Sequence, residues 1–151
     1  MEIIVLWSLW VVGFVLLLII LTKLPFWEWL LVYLLTAYFS ITLGVIIVEE
    51  NLLSYPVKSF NQHFDSSVLF EYLLFPVICL YYYRTSYHST YKGILLQGAV
   101  YSSVITIVEY FIERYTDLVE YEKWTLIYTF ISELILMLFI ILLMKKIKKM
   151  K

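Results

Sequence analysis

Five apolar runs, separated by short polar connections, make up most of this chain of 151 residues. An apolar α-helix needs about 20 residues to cross the hydrocarbon core of a bilayer. The chain is 63% hydrophobic and only 15% charged, whereas soluble domains are about half apolar and a quarter charged. The pattern therefore predicts an all-α membrane protein, a bundle of five transmembrane helices. We place the spans at 3–21, 26–48, 68–83, 94–112 and 124–144.

The segment between the second and third spans is the longest polar stretch of the chain. Within it Leu53, Val57, Phe60 and Phe64 recur at steps of three and four, which would align them on one side of a helix. We therefore predict a short amphipathic helix on the membrane surface between these spans. With only 4 Gly and 3 Pro, the chain has little material for linkers, so residues 1–151 should form a single integral membrane domain.

Basic residues are distributed unevenly between the two predicted sides of the membrane. The positive-inside rule assigns the side richer in Lys and Arg to the cytoplasm. It predicts a cytoplasmic C-terminus with the basic tail 145–151, whose partner we expect to be lipid headgroups rather than nucleic acid, and an N-terminus outside the cell. The inner side would carry Lys23, Arg84, Lys92 and the tail lysines, and the outer side Lys58, Arg114 and Lys123.

Small and polar residues follow one side of the fourth span. Gly98, Ser102, Thr106, Glu109 and Glu113 step by four, four, three and four, so they share about one quarter of the helix circumference. The first three indicate a helix-packing face, because small residues let helices approach closely. Glu113, with Arg114 after it, would lie at the rim of the membrane.

Three carboxylates fall inside predicted spans, and they are the main candidates for a functional site. In the predicted topology Glu71, Glu109 and Glu133 come from three helices and lie at similar depths in the outer leaflet. No Lys or Arg inside a span is available to pair with them. Acidic side chains inside a bilayer cost roughly 2.5–3.5 kcal/mol on insertion scales, so such residues normally face other helices or water.

These acids support two interpretations. If they form hydrogen bonds to hydroxyl groups on neighbouring spans, they hold the bundle together, and the protein is structural or an accessory to a larger membrane assembly. If they bind protons or cations from outside, the protein is a small carrier. We favour the structural interpretation slightly and keep the carrier as the alternative. Partners beyond the lipid bilayer would be another membrane protein or further copies of the chain.

Enzymatic function receives little support from the sequence. There is no G-x-S-x-G, no H-E-x-x-H and no glycine-rich phosphate loop. Glu109, Glu113 and Glu71 could offer oxygens to a divalent cation, but paired glutamates are common on helices. We therefore predict a non-enzymatic protein without cofactor or metal, and keep a membrane-embedded lipid enzyme as a third alternative.

Several short motifs stand out between the second and fifth predicted spans: Ser54–Val57, Leu69–Pro76, Thr106–Glu109, Glu113–Thr116, Tyr121 and Trp124. With these motifs the chain resembles a family of small, uncharacterised multi-span membrane proteins of endospore-forming bacteria. The resemblance extends over nearly the whole chain and is strongest between Ser54 and Ser132. It implies a bacterial plasma-membrane location, with a link to sporulation resting on the kind of host alone, and it assigns no activity, cofactor or functional residue.

Overall fold

The computed structural model describes residues 2–23, 25–54, 69–116 and 118–150, apart from the side chain of Glu2. Within these ranges the fold is helical, with one pair of two-residue strands. Four helices are long and apolar enough to cross a membrane, so the chain is a multi-pass membrane protein with four candidate spans. The helices are α1 (Glu2–Leu21), α2 (Phe26–Glu49), α3 (Phe75–Ser86), α4 (Tyr91–Tyr115) and α5 (Leu126–Lys149), and the strands are β1 (Leu53–Ser54) and β2 (Glu120–Tyr121).

The third predicted span corresponds to a helix with two different windings. A π-helical segment, Leu69–Leu74, continues directly into α3, and this helix is not among the four candidate spans. The change of winding lies next to Pro76, which has no N–H to donate to the carbonyl of Tyr72 four residues earlier. The hydroxyl of Tyr33 on α2 donates a hydrogen bond to that carbonyl instead. The carbonyl of Tyr72, which lacks its usual helical donor, therefore has a hydrogen-bond partner on the neighbouring helix α2.

The helices alternate in direction. α2 runs antiparallel to the helix over 69–86, because Glu28 near its start contacts Tyr83 and Gly44 near its end contacts Glu71. Thr90 and Thr125 begin α4 and α5 by accepting hydrogen bonds from backbone N–H groups of their first turns, as expected of N-cap residues. α4 and α5 are also antiparallel, since contacts join Gly98 to Leu134 and Glu109 to Thr129.

Large side chains fill the half of the bundle that contains the end of α3 and the end of α5. Tyr82 and Leu80 are fully buried there with Met137, Ile141 and Met144 of α5. At the same end Lys148 pairs with Glu28 at 2.5 Å. The predicted basic tail therefore begins as the last turn of α5, which continues to Lys149 and binds the start of α2.

α1 is the most peripheral helix, and most of its side chains are exposed. It contacts the helix over 69–86 in particular, where the hydroxyl of Tyr81 donates to the carbonyl of Leu16 and Leu73 lies against Gly13. Residues 3–21 of α1 include no charged residue, and a helix with this much exposed apolar surface is suited to lipid contact. One side of α4 is also exposed, and the exposed fractions of its side chains are about one half: Val100, Val104, Ile107 and Phe111.

A strap formed by residues 50–54 and 118–124 covers the other end of the bundle. Asn51 has a left-handed backbone (φ 56°), and the N–H groups of Asn51 and Leu52 bond back to Val48 and Ile47, as in a Schellman ending of a helix. β1 then pairs with β2, Leu53 opposite Tyr121. The carbonyl of Leu52 accepts N–H groups from Glu122, Lys123 and Trp124 at 2.9–3.1 Å.

The strap corrects one prediction. Leu53 was predicted on the apolar side of the amphipathic surface helix, but it is an almost fully buried strand residue (5% exposed). The left-handed turn at Asn51 directs the chain across the end of the bundle. There the backbone of Leu53 pairs with β2 of another part of the chain, whereas a helix would use hydrogen bonds within its own segment. The remainder of the predicted surface helix, with Val57, Phe60 and Phe64, lies outside the described residues.

Candidate functional site

A cavity of about 230 Å³ lies under the strap, between α2, the helix over 69–86, α4 and α5. Glu71, Glu109 and Glu133, predicted from three separate spans to lie at similar depths, all line it. Leu53 and Trp124 of the strap close its end. The fold therefore brings the three predicted intramembrane carboxylates to one cavity, although each comes from a different helix.

Glu71 lies deep in this cavity and packs directly on the backbone of α2. Its side chain is 2% exposed. A Cβ atom built on Gly44 would overlap the carboxylate, with Oε1 the nearest atom. Gly44 is thus required for a close approach rather than for an unusual backbone angle. Ser40, one turn earlier on α2, is also buried and lines the same cavity.

Glu109 is held by a hydrogen-bond network that connects α4, α5 and the strap. The hydroxyl of Tyr121 donates to Glu109 Oε1 at 2.7 Å, and Thr129 donates to the same oxygen at 3.4 Å. The indole N–H of Trp124 donates to the Thr129 hydroxyl at 2.7 Å. One carboxylate oxygen therefore fixes two strap residues and the first turn of α5.

Tyr121 is the titratable member of this network that lies outside the candidate spans. Burial raises the pKa of its hydroxyl, and the negative charge of Glu109 raises that pKa further. Both effects favour the neutral phenol, whose O–H group can donate a hydrogen bond to the carboxylate. The contact therefore depends on Tyr121 remaining protonated.

Glu133 differs from Glu109 in its surroundings. Its side chain is 6% exposed, and among the described residues neither of its carboxyl oxygens has a hydrogen-bond partner. A buried polar group without a partner costs free energy, and a buried charge costs more. Glu133 is therefore the acid in this cavity that gains most from an incoming proton or cation.

The remaining predicted residues lie around the site rather than in it. Gly98 and Ser102 are buried, Gly98 against Leu134 and Ser102 donating to the sulfur of Met137 at 3.7 Å. Thr106 donates to the carbonyl of Ser102 on its own helix. Glu113 is partly buried and Arg114 is exposed. Neither of these two rim residues lines the cavity.

Sequence reasoning assigned no site role to Gly44, Tyr121 or Trp124. Gly44 follows Ala37 and Ser40 on one small-residue side of α2, a pattern that is typical of helix packing. Its alignment with Glu71 depends on how α2 and the third helix are shifted along each other, which spacing does not define. In the predicted topology Tyr121 falls in the connection before the fifth span, and Trp124 is the first residue of that span.

The described residues contain no group of three or more His, Cys, Asp or Glu side chains arranged to hold a metal ion. Comparison with protein-family models, with curated proteins and with solved structures found no match to this chain. The functional argument therefore depends on the geometry of the cavity.

Proposed function

We propose that this chain is a non-enzymatic protein of the bacterial plasma membrane that crosses the bilayer five times. The helix over 69–86 would be the third span. This assignment is supported by its contacts with both ends of α2, through Tyr83 and Glu28 at one end and Glu71 and Gly44 at the other. At ~1.5 Å per residue its 18 residues extend about 27 Å, close to the ~30 Å hydrocarbon thickness.

The cavity would then lie at the outer side of the membrane, beneath the strap. The bundle end beyond the packed core carries Lys23, Arg84, Lys92 and the lysines of α5, which the positive-inside rule assigns to the cytoplasm. The carboxylate cavity lies at the opposite end, under the strap. The bacterial location is supported by the resemblance to membrane proteins of endospore-forming bacteria.

The proposed activity of the cavity is the binding of protons or small cations, as part of a small carrier. The observation that carries this proposal is Glu133, a buried acid that lines the cavity and lacks a hydrogen-bond partner among the described residues. A purely structural acid would be expected to resemble Glu109, which has two hydrogen-bond donors. The environment of Glu133 is that of an acid that binds and releases a proton or a small cation.

A carrier fits this geometry better than a channel. The cavity is blocked toward the lysine end by fully buried side chains, including Met137, Ile141 and Tyr82. A continuous water path would require these side chains to move apart. The cavity therefore supports binding at one side of the membrane, followed by a change of conformation.

Flux measurements in proteoliposomes test this activity. Glu133→Gln keeps the shape of the side chain and removes its ionisable group, so proton or cation flux should fall at least tenfold. Glu120→Gln is a matched control, because Glu120 is an exposed acid in the strap. Equal flux in the native protein and the Glu133 variant, at equal folded protein, would exclude the proposed site.

A structural or accessory role is the second candidate, and the Glu109 network favours it. This network connects the strap to α4 and α5 through Tyr121 and Thr129. Under this hypothesis Glu109→Leu lowers the thermal stability in detergent, and native mass spectrometry of the protein from its own membranes finds a stoichiometric foreign subunit. A stable Glu109→Leu variant and an isolated monomer or homo-oligomer would argue against it.

A further inference from the structure

A second cavity of about 270 Å³ adjoins the carboxylate cavity. It lies between α1, the helix over 69–86 and α4, and we call it the apolar cleft. Its lining is almost entirely aliphatic, with contributions from Leu9 and Val12 of α1, Ile78 of α3 and Val108 of α4. Its surface is suited to a hydrocarbon group rather than to an ion.

The two cavities share part of their walls. Glu109 and Phe70 line both of them, so the apolar cleft ends at a carboxylate. The next acid inward is Glu133, which is more than nine-tenths buried and has no hydrogen-bond partner among the described residues. A molecule positioned across this wall would meet carboxylates at one end and aliphatic side chains at the other.

We propose that the cation site of this protein takes a hydrophobic monocation, an ammonium group bearing an alkyl chain. The ammonium group lies in the carboxylate cavity beside Glu133 and Glu109, and the chain lies in the apolar cleft. This inference rests on the proposed cation-binding function and specifies its ligand class.

Charge and polarity both favour this class of ligand. Within the described part of the chain, no lysine, arginine or histidine lines either cavity. An anionic amphiphile would therefore meet only repulsion from the three glutamates. A hydrated inorganic cation would leave the apolar cleft unused, whereas an alkylammonium ion contacts both surfaces and needs no multidentate coordination. The competing occupant of the cleft is a neutral lipid chain, and the experiment separates the two.

Binding of alkyltrimethylammonium ions to the purified full-length protein tests the proposal. The probes are tetramethylammonium, butyltrimethylammonium and octyltrimethylammonium, with 1-octanol as the neutral control. Each buried CH₂ group should raise the affinity about three- to fourfold while it remains in the cleft. Octyltrimethylammonium should therefore bind at least tenfold more tightly than tetramethylammonium, and Glu133→Gln should weaken its binding at least tenfold.

A matched pair of variants tests the position of the chain. Val108→Trp fills the apolar cleft, whereas Val100→Trp introduces the same ring at a similarly exposed position of α4 that does not line it. Only Val108→Trp should abolish the gain in affinity with chain length. Both substitutions are on the exposed side of α4, so neither disturbs the buried core.

The outcomes separate this inference from the function on which it rests. Tetramethylammonium binding that needs Glu133, without a gain from longer chains, keeps the cation site and overturns the hydrophobic ligand. Absence of Glu133-dependent binding by every cation overturns both. Octanol binding as strong as that of octyltrimethylammonium, or equal effects of the two tryptophan variants, also overturns the inference and assigns the cleft to neutral lipid.

Discussion

The carboxylate of Glu71 occupies the space in which a side chain at position 44 would stand, so Gly44 and Glu71 form one close-packed pair. The pair connects α2 to the π-helical segment of the third helix. It also determines how far the Glu71 carboxylate extends into the cavity. The position of one of the three acids therefore depends on the absence of a methyl group on a neighbouring helix.

Gly44→Ala should displace Glu71 and reduce ligand binding. Added volume in a well-packed site costs about 1–3 kcal/mol, and we expect the lower part of this range because the carboxylate can rotate away. Thermal unfolding in detergent measures the cost, and tetramethylammonium binding measures the site. Gly93→Ala at the start of α4 is the control and should preserve tetramethylammonium binding, because Gly93 does not line the cavity. An unchanged affinity in Gly44→Ala would mean that the position of Glu71 does not matter to the site.

The hydrogen bond from Tyr33 to the carbonyl of Tyr72 should be coupled to Pro76. Tyr33→Phe removes the donor and should destabilise the native protein by about 1 kcal/mol, in the range of hydrogen bonds between membrane helices. In a Pro76→Ala background the new N–H can bond to the same carbonyl, so Tyr33→Phe should cost much less. A double-mutant cycle of unfolding free energies measures this coupling. Additive effects would show that the two residues act independently.

Tyr121 predicts a change of stability at alkaline pH. Its pKa is raised in the folded protein, so its contribution is fully present below the ordinary tyrosine pKa of about 10. That contribution is lost as the pH rises above about 10 toward the folded-state pKa. Between about pH 10 and 12 the native protein should therefore lose more stability than Tyr121→Phe. Parallel pH curves for the two proteins would contradict this expectation.

Cysteine labelling tests the proposed orientation. Glu120→Cys should react with an impermeant thiol reagent in intact cells, and Lys92→Cys at the other end of the bundle should react only after lysis. The native Cys79 is 1% exposed and should not contribute. The reverse labelling pattern would invert the bundle and place the carboxylate cavity on the cytoplasmic side.

The sequence was sufficient to predict the helical class and most helix positions. The apolar runs are long, and caps such as Thr90 and Thr125 lie beside them, so local chemistry defines these elements. Glu71, Glu109 and Glu133 were predicted to lie at similar depths in the membrane, and their shared cavity fits this prediction. In antiparallel helices of similar length, residues at the same depth lie side by side. The role of these acids stays a prediction.

The strap and the detailed site were not predictable in the same way. Leu52 and Trp124 are far apart in the chain, and nothing in the local sequence indicates that one carbonyl would accept three N–H groups. The Gly44–Glu71 contact likewise depends on the register between two helices, and their many apolar side chains would allow other registers as well. Long-range contacts of this kind are determined by packing, not by residue spacing.

The order of the acids along the chain has a consequence for biosynthesis. Glu71 meets Gly44 as soon as the second and third helices have packed together, so the first acid can be accommodated early. Within the described part of the chain, Glu109 receives its hydrogen bonds from Tyr121 and Thr129, which are synthesised later. A nascent chain that stops after α4 therefore holds an acid in the bilayer without its native donors.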